Sequence, residues 1–422
     1  MVNTLTQDSK RTKYRAWIIL AAALTINMTM GINYSWSVIK KVLVTEWHWT
    51  NVDASLPYTF YAIIFALSMV FAGRLQDKAG PRIVVTLGSI LVGTGLISCS
   101  FSETLFPMAG SYGITGIGYA LCFSSTMPVC IKWFPPERRG LIMGIIVSGS
   151  ALASGYFSPM LNSLLGHYGL HKTFLVVGIA VFMIIATMAQ FLDNPPADHK
   201  TASKPDALSA SANCASPAQA ELDWRGMIKT SMFYKIWLMY FIISSAGLMM
   251  IAHIATIAQT QAHWENGFYL VVLFAVFNMS GRMIAGFLSD KFGRVKILMA
   301  VFIFQAINML LFAGYTTPVL LCLGMVVTGL SYGAAFALFP LATADYYGLR
   351  NLGGNYGLMF TAWGCAGILG PLVAGWAVDV TGAYVYGYMV AAVTLFGAFS
   401  LAFSIKQQAI TGRINRPPQI KS

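Results

Sequence analysis

The sequence predicts an all-α membrane protein with twelve transmembrane helices in two pseudo-symmetric six-helix bundles. Three observations predict this fold. Of the 422 residues, 57% are hydrophobic and only 10% are charged, whereas a soluble domain normally carries about 25% charged residues. The apolar residues form twelve runs of membrane-spanning length, and the basic residues lie almost entirely on one side of them. The composition argues against a cytosolic enzyme, and we assign the net charge of +12 to cytoplasmic loops rather than to a nucleic-acid partner.

Each apolar run is expected to be a helix, because a helix satisfies its own backbone hydrogen bonds in lipid. About 20 residues suffice to cross the hydrocarbon core. The first run begins at Ala16 and lacks a small-residue cleavage site, so we expect a retained span rather than a signal peptide. The predicted spans are 16–39, 53–73, 83–101, 107–131, 140–165, 173–192, 232–257, 267–288, 295–313, 318–344, 353–379 and 384–404.

The basic residues orient these spans. Of the 27 Lys and Arg residues, 23 lie in the two tails and in alternate loops, whereas the opposite loops hold only Lys40, Lys41 and Lys172. Lys and Arg accumulate in cytoplasmic loops. We therefore predict a multi-pass protein of the cell membrane with both termini in the cytoplasm. The remaining basic residue, Arg282, lies inside the eighth span.

One long polar stretch, rich in Ala, Ser and Pro, divides the chain and predicts a cytoplasmic linker. Residues 222–229 within it are a candidate interfacial helix. The six cysteines form no CxxC pair, and five lie in apolar runs, so we expect no disulfide, metal or cofactor. The predicted boundaries are an N-terminal tail at 1–15, a bundle at 16–192, a linker at 193–231, a bundle at 232–404 and a C-terminal tail at 405–422.

An internal repeat with an offset of 213 residues relates the two halves. The loop after the second span reads Gly73-Arg-Leu-Gln-Asp-Lys-Ala-Gly-Pro-Arg82, and the loop after the eighth reads Gly286-Phe-Leu-Ser-Asp-Lys-Phe-Gly-Arg294. Six spans are an even number, so the two halves have the same orientation, as in a parallel repeat about an axis along the membrane normal. Other matched positions are Gly116 with Gly329, Tyr119 with Tyr332, Phe123 with Phe336, Gly140 with Gly353, and Gly144 with Gly357.

The doubled G-x-x-x-D-[RK]-x-G-x-[RK] loop resembles the signature of the major facilitator superfamily, and the resemblance covers all twelve spans. It implies alternating access, in which two bundles rock about a central site. Each loop aspartate can face the positive N-terminus of a helix in the other half, and the basic residues can bind membrane lipids or opposite charges. The alternative is that these loops are only positive-inside turns. The predicted gating residues are Asp77, Arg82, Asp290 and Arg294.

Four shorter motifs resemble the branch of oxalate–formate exchangers and monocarboxylate transporters. They are Gly31-Ile-Asn-Tyr-Ser-Trp36, Lys132-Trp-Phe-Pro-Pro-Glu-Arg-Arg-Gly140, Asn278-x-x-x-Arg282 and Ala337-Leu-Phe-Pro340. In the monocarboxylate transporters an Asp-x-x-x-Arg pair carries binding and proton coupling, but here Asn278 replaces the aspartate and cannot titrate. The exchangers carry a second cation on span eleven, at the position of Trp363 here. One buried cation suits a monoanion better than a dianion.

Arg282 is the main candidate for substrate binding. A charge at mid-helix costs about 2.5–3.5 kcal/mol on insertion scales, and a planar guanidinium fits a carboxylate in two-point contact. Asn278 lies one turn away on the same face, where it can orient the arginine or bind the ligand. The alternative is that Arg282 snorkels to the nearby cytoplasmic end of its helix.

Aromatic pairs on spans four and ten are further candidates. Tyr119 with Phe123, and Tyr332 with Phe336, have i,i+4 spacing, and spans four and ten line the cavity in the resembled superfamily. The alternative is aromatic packing between helices. Tyr34, Asn33 and Met28 in span one, and Trp363 in span eleven, complete the predicted substrate-binding set. His253 is the candidate for proton coupling, because histidine changes charge near neutral pH; otherwise it is a hydrogen-bonded helix-end residue.

The resemblance thus implies a secondary active transporter of a small monocarboxylate such as lactate or pyruvate, coupled to protons and working as a monomer. A formate or oxalate antiporter is the alternative within the carrier class. An intramembrane enzyme would need paired carboxylates, a histidine cluster or an activated nucleophile in the spans, and none is visible. A channel would lack the two-half architecture that the repeat and linker predict.

Overall fold

The computed structural model describes residues 2–50, 53–195, 221–264 and 267–410, and these residues contain helices and turns but no β-strand. Most of the predicted linker and the end of the C-terminal tail lie outside the described residues. The helices are α1 Val2–Met30, α2 Trp36–Thr45, α3 Leu56–Ala79, α4 Pro81–Cys99, α5 Leu105–Trp133, α6 Arg139–Ala189, α7 Trp224–Met227, α8 Ser231–Ala262, α9 Phe268–Phe292, α10 Arg294–Phe312, α11 Pro318–Tyr347, α12 Leu352–Met359, α13 Thr361–Thr381 and α14 Val385–Ile410.

The predicted fold class is confirmed. In the described residues, 11 helical stretches are long and apolar enough to cross a membrane. One of them contains α6, whose 51 residues would extend about 77 Å at 1.5 Å per residue, more than twice the hydrocarbon core. The helix breaks at Gly169, where φ is 70° and ψ is 177°. This break falls between predicted spans five and six, so α6 holds two spans.

Local sequence signals explain several helix ends. Thr230 and Thr317 cap α8 and α11, because their hydroxyls accept the backbone N–H groups of Phe233 and Leu320. The repeated loops turn at Gly80 and Gly293, where φ is 82° and 90°. Glycine adopts this left-handed region without steric cost.

Two predicted spans are not continuous helices, and the prediction is wrong in that respect. Span one is interrupted by a 3₁₀ turn at Gly31–Ser35, where a Cβ on Gly31 would overlap the side chain of Ala153. Span eleven is interrupted at Phe360, between α12 and α13. Of residues 222–229, which were predicted as an interfacial helix, only α7 at Trp224–Met227 is helical. The Asp223 side chain caps this helix.

The chain forms two compact units. The first, called the N-unit, comprises Met1–Phe134, Ile145–His199 and Leu352–Thr361; the second, called the C-unit, comprises Pro135–Gly144, Lys200–Asn351 and Ala362–Ser422. Each unit therefore holds most of one sequence half and a short segment of the other. In the N-unit the borrowed segment contains α12, which packs along α3. In the C-unit it contains the first turns of α6.

Helix α5 lies at the core of the N-unit and α11 at the core of the C-unit. Nearly all residues of both helices are buried from Gly118 and Ser331 onward. Helices α1, α3 and α4 pack against α5, and α8, α9 and α10 pack against α11. Large apolar side chains elsewhere are exposed, as expected for surfaces that face lipid.

Candidate functional site

Arg282 is buried in the C-unit on α9, with 1% of its surface exposed. Its Nε donates a hydrogen bond to Asn278 Oδ1 at 3.1 Å. Its guanidinium carbon lies 4.6 Å from the ring centroid of Phe336 on α11, which is cation–π distance. A snorkelling arginine would expose its charge to water, whereas this one is fixed against an aromatic ring.

Close packing of α9 on α11 creates this arrangement. A Cβ on Gly333 would overlap the backbone carbonyl of Asn278, and a Cβ on Gly281 would overlap the backbone of Leu330. Two glycines, one on each helix, therefore allow the backbones to touch. Phe336 follows Gly333 by nearly one turn of α11, and this places its ring beside Arg282.

An aromatic wall continues from Phe336. The rings of Tyr332 and Phe336 are 5.3 Å apart, and those of Phe336 and Trp363 are 6.3 Å apart. Trp363 Nε1 donates a hydrogen bond to the Tyr332 hydroxyl at 2.9 Å. The fold thus brings together five residues predicted for substrate binding, which we call the arginine cluster: Asn278, Arg282, Tyr332, Phe336 and Trp363.

The other predicted pair, Tyr119 and Phe123, lies in the N-unit on α5. The Tyr119 ring is 6.0 Å from that of Tyr61, and the Phe123 ring is 5.9 Å from Phe65 and 5.5 Å from Phe360. The Tyr119 hydroxyl is buried without a hydrogen-bond partner among the described residues. An unpartnered buried hydroxyl costs free energy, which favours a site that a ligand or water completes.

The span-one residues that were predicted for substrate binding contribute less to the site than expected. Met28 is half-buried beside Gly149, and its carbonyl accepts a hydrogen bond from the Tyr156 hydroxyl at 2.6 Å. The Tyr34 side chain lies outside the described residues. Asn33 donates to the Tyr61 hydroxyl at 2.9 Å and accepts from the Tyr112 hydroxyl at 2.8 Å, a network that serves packing.

Asn27 on α1 is a polar residue that sequence reasoning missed. It is fully buried, and its Nδ2 donates to Thr126 Oγ1 on α5 at 3.0 Å. Its Oδ1 has no hydrogen-bond partner in the described part of the chain. Thr126 lies near the α5 face that carries Tyr119 and Phe123. The sequence signal that could have identified Asn27 is an amide side chain in the middle of an apolar run.

The two signature aspartates bind helix N-termini. Asp77 accepts the backbone N–H groups of Gly353 and Gly354 at 3.2 and 2.7 Å, at the start of α12 in the N-unit. Asp290 accepts those of Gly140 and Leu141 at 2.9 and 3.0 Å, at the start of α6 in the C-unit. The partners of the two carboxylates differ by the repeat offset of 213 residues. Their gating role remains a prediction.

The basic partners of these aspartates differ. Arg294 donates to Asp290 at 2.6 Å and to the Ser289 hydroxyl at 2.7 Å. Its Nε also lies 3.3 Å from the carboxylate of Asp345, a residue that sequence reasoning did not single out. Arg82 is exposed beyond the N-unit loop. Arg294 thus links the C-unit loop to Asp345 near the end of α11.

His253 is half-buried on α8. Its hydrogen-bond partners do not belong to the arginine cluster. Its Nε2 lies 3.2 Å from the carbonyl of Pro371, and its Nδ1 lies 3.3 Å from the Tyr384 hydroxyl. These partners belong to the packing of α8 on α13 and on the residue before α14. The imidazole is hydrogen-bonded, but α8 continues beyond it to Ala262, so His253 does not lie at a helix end. Its proton role remains a prediction. Among the described residues, no group of three His, Cys, Asp or Glu side chains is placed to hold a metal ion.

The membrane-spanning helices, the internal sequence repeat and the arginine cluster are typical of a multi-pass membrane transporter. A model of the Major Facilitator Superfamily matches residues 19–282 and 257–419, and the chain belongs to that superfamily. It is 25% identical to the oxalate:formate antiporter of Oxalobacter formigenes, over 92% of this chain and 90% of the relative. It is 27% identical to monocarboxylate transporter 13 of Rattus norvegicus, over 92% and 86% of the two chains.

A solved structure shows the same fold. The fucose:proton symporter of E. coli superposes with a TM-score of 0.71 at 14% sequence identity, covering 91% of this chain and 98% of that chain. At this identity the likeness supports the architecture alone.

Proposed function

We propose that this chain is a secondary active transporter of a small monocarboxylate of the lactate or pyruvate type, coupled to protons. The observation that carries the proposal is the buried Arg282, held by Asn278 and by the Phe336 ring. Because two neighbours fix the guanidinium plane, little ordering is needed when a carboxylate binds. A carboxylate in this setting gains charge-assisted hydrogen bonds in a site that excludes water.

The number of buried cations favours a monoanion. Arg282 is the only buried Lys or Arg among the residues whose burial is described. A ligand with two carboxylates would leave one without a cation, and an isolated desolvated charge costs several kcal/mol. Trp363 occupies the position that carries the second cation in the resembled exchangers, and its indole N–H binds Tyr332. The wall beside Arg282 is therefore apolar and suits a short organic side chain.

The alternative is a formate- or oxalate-type carboxylate antiporter. It is supported by the similarity to the oxalate:formate antiporter, which covers nearly the whole chain. The similarity to monocarboxylate transporter 13 is of the same order, so our preference for a monocarboxylate rests on the charge count.

Alternating access follows for both candidates, with the protein working as a monomer in the cell membrane and both termini in the cytoplasm. Asp77 and Asp290 would stabilise one state by capping α12 and α6. Cotransport of one proton with one monoanion is electroneutral. Two groups can carry the proton, the His253 imidazole and the substrate carboxylate itself. We favour the carboxylate, because the hydrogen-bond partners of His253 are the Pro371 carbonyl and the Tyr384 hydroxyl.

Uptake into proteoliposomes tests the proposal. Labelled lactate, pyruvate, formate and oxalate are offered with and without an inward proton gradient, and then with vesicles preloaded with unlabelled substrate. Saturable lactate or pyruvate uptake that rises with the proton gradient and ignores an imposed potassium potential supports electroneutral symport. Oxalate uptake that needs internal formate supports the antiporter. Lys296→Gln, which removes an exposed charge, is the control for Arg282→Ala.

A further inference from the structure

Ser244 on α8 carries a buried hydroxyl group that the packing of the C-unit leaves unused. The residue is fully buried, with 0% of its surface exposed, and its Oγ has no hydrogen-bond partner among the residues that the structure describes. A buried serine in a helix can bond to a carbonyl of its own preceding turn, as Ser125 does with the Leu121 carbonyl at 2.8 Å. Because an unsatisfied buried hydroxyl is unfavourable, the position favours a partner that the chain itself does not supply.

Contacts on either side of Ser244 place it against α11. One turn earlier, the ring of Tyr240 stacks on that of Phe339, with the ring centroids 4.4 Å apart. Three residues later, a Cβ on Gly247 would overlap the ring of Tyr332. Residues 240, 244 and 247 share one face of α8, and the order of the two contacts shows that α8 and α11 run antiparallel here. Ser244 therefore faces α11 between Phe339 and Tyr332.

This position lies at the level of the arginine cluster. On α11, Phe336 lies between Tyr332 and Phe339 and on the same face, because the three residues have i,i+4 and i,i+3 spacing. The ring centroid of Phe336 lies 4.6 Å from the guanidinium carbon of Arg282. The hydroxyl of Ser244 is thus at the height of the aromatic ring that contacts the cation, and all of these residues belong to the C-unit.

We propose that Ser244 binds the transported substrate and hydrogen-bonds an oxygen atom on the carbon next to its carboxylate. The inference rests on the proposed function, in which Arg282 binds the carboxylate. A serine hydroxyl is both a donor and an acceptor, so it donates to the keto oxygen of a 2-oxo acid or accepts from the hydroxyl of a 2-hydroxy acid. Formate, acetate and propionate lack this oxygen and leave the Ser244 hydroxyl without a partner. Ser244 therefore selects acids with an oxygen at this carbon over unsubstituted acids.

Close helix packing is the other role that a small residue can have at this position. Alanine separates the two roles, because it keeps a small side chain and removes only the hydroxyl. If Ser244 served packing alone, Ser244→Ala would remove an unsatisfied polar atom and would leave the selectivity unchanged. Ser245 is the matched control: its backbone packs on Gly370 of α13, and its Oγ likewise has no partner in the described part of the chain.

Competition against the uptake of labelled lactate into proteoliposomes tests the inference, with lactate, pyruvate and propionate as competitors. Propionate has the carbon skeleton of lactate without the hydroxyl. We expect the wild type to bind lactate and pyruvate about five- to tenfold more tightly than propionate, because propionate lacks one hydrogen bond. Ser244→Ala should weaken lactate and pyruvate binding by the same factor of about five to ten and leave propionate binding within about twofold. Ser245→Ala should keep the wild-type ratio.

Thermal unfolding of the purified full chain without substrate is the second measurement. Ser244→Ala should unfold at the wild-type temperature or above it, which shows that its loss of lactate affinity does not come from a weaker fold. Equal competition by lactate and propionate in the wild type, or an unchanged ratio in Ser244→Ala, would overturn the role of Ser244 and leave the proposed function intact. An equal loss of selectivity in Ser245→Ala would do the same. A wild type that takes up no monocarboxylate would contradict the proposed function and this inference with it.

Discussion

Helices α3 and α9 occupy equivalent positions in the two halves and share their packing, yet they carry different chemistry. A Cβ on Gly116 would lie 2.7 Å from the Tyr61 carbonyl, and one on Gly329 would lie 2.9 Å from the Phe274 carbonyl. Both contacts are related by the offset of 213 residues. However, Phe65 and Met69 on α3 correspond to Asn278 and Arg282 on α9.

This difference shows that the repeat preserves the backbone contacts between helices, while the side chains at equivalent positions differ in polarity and charge. Gly357 in the N-unit packs against the backbone of Met69, as Gly144 in the C-unit packs against that of Arg282. The helix contact is therefore compatible with either an apolar side chain or a cation. A monoanion needs one cation, and a second buried arginine at position 69 would add a charge without a partner.

Replacing the cation should have the largest effect. Arg282→Ala should reduce monocarboxylate uptake by about 30-fold or more, because loss of one partner of a buried charge pair costs about 2–5 kcal/mol. Arg282→Lys should recover only part of it, since a point charge lacks the planar fork. Met69→Leu, the conservative change at the repeat position, should transport within about twofold of the wild type. Initial rates in proteoliposomes with matched protein content decide this, and near-normal uptake by Arg282→Ala would show that the arginine is not a substrate ligand.

Adding a second cation to the arginine cluster should change selectivity. Trp363→Lys removes the bond to Tyr332 and places a charge near Phe336. We expect weaker lactate competition and a gain of about tenfold or more for oxalate relative to lactate. Trp363→Phe removes the same hydrogen bond without adding charge, so its oxalate-to-lactate ratio should stay at the wild-type value. Competition constants measure both, and tight oxalate binding in the wild type would contradict the cation count.

Removing the helix caps should have a smaller effect on rate. Asp77→Ala and Asp290→Ala each lose two backbone hydrogen bonds at a helix N-terminus, which typically costs about 0.5–2 kcal/mol. Transport rates should fall about two- to thirtyfold, and more for Asp290, which also loses Arg294. Equilibrium substrate binding should remain near the wild-type value, because neither residue contacts the arginine cluster in the described structure. A fall in affinity without a fall in rate would assign these aspartates to binding instead.

His253→Gln should have the smallest effect. A glutamine amide can still donate to the carbonyl of Pro371, so the packing of α8 on α13 is retained. We expect uptake and its dependence on external pH to stay within about twofold of the wild type. Tyr384→Phe, which removes the other partner of the imidazole, is the matched control. Loss of the pH dependence in His253→Gln alone would identify this histidine as the proton acceptor.

Several features follow from the sequence because their physical causes are local. Apolar length and backbone hydrogen bonding in lipid determine the spans, and the fold class predicted from them is confirmed. The superfamily, which the doubled loop motif indicated, is confirmed too. The i,i+4 spacing of Asn278 and Arg282 places both on one face of a single helix, so their hydrogen bond needed no knowledge of the fold.

Other features depend on helices that are distant in the sequence. The break at Phe360 accompanies packing of its ring on Phe65 and Phe123, and the bond between Trp363 and Tyr332 joins α13 to α11. The hydrogen bond from Asn27 to Thr126 joins α1 to α5. Helical periodicity states which side of a helix is apolar, but it does not state how closely two helices approach. That distance depends on which small residues meet at the contact, and only the tertiary structure brings Gly281 against Leu330 and Gly333 against Asn278.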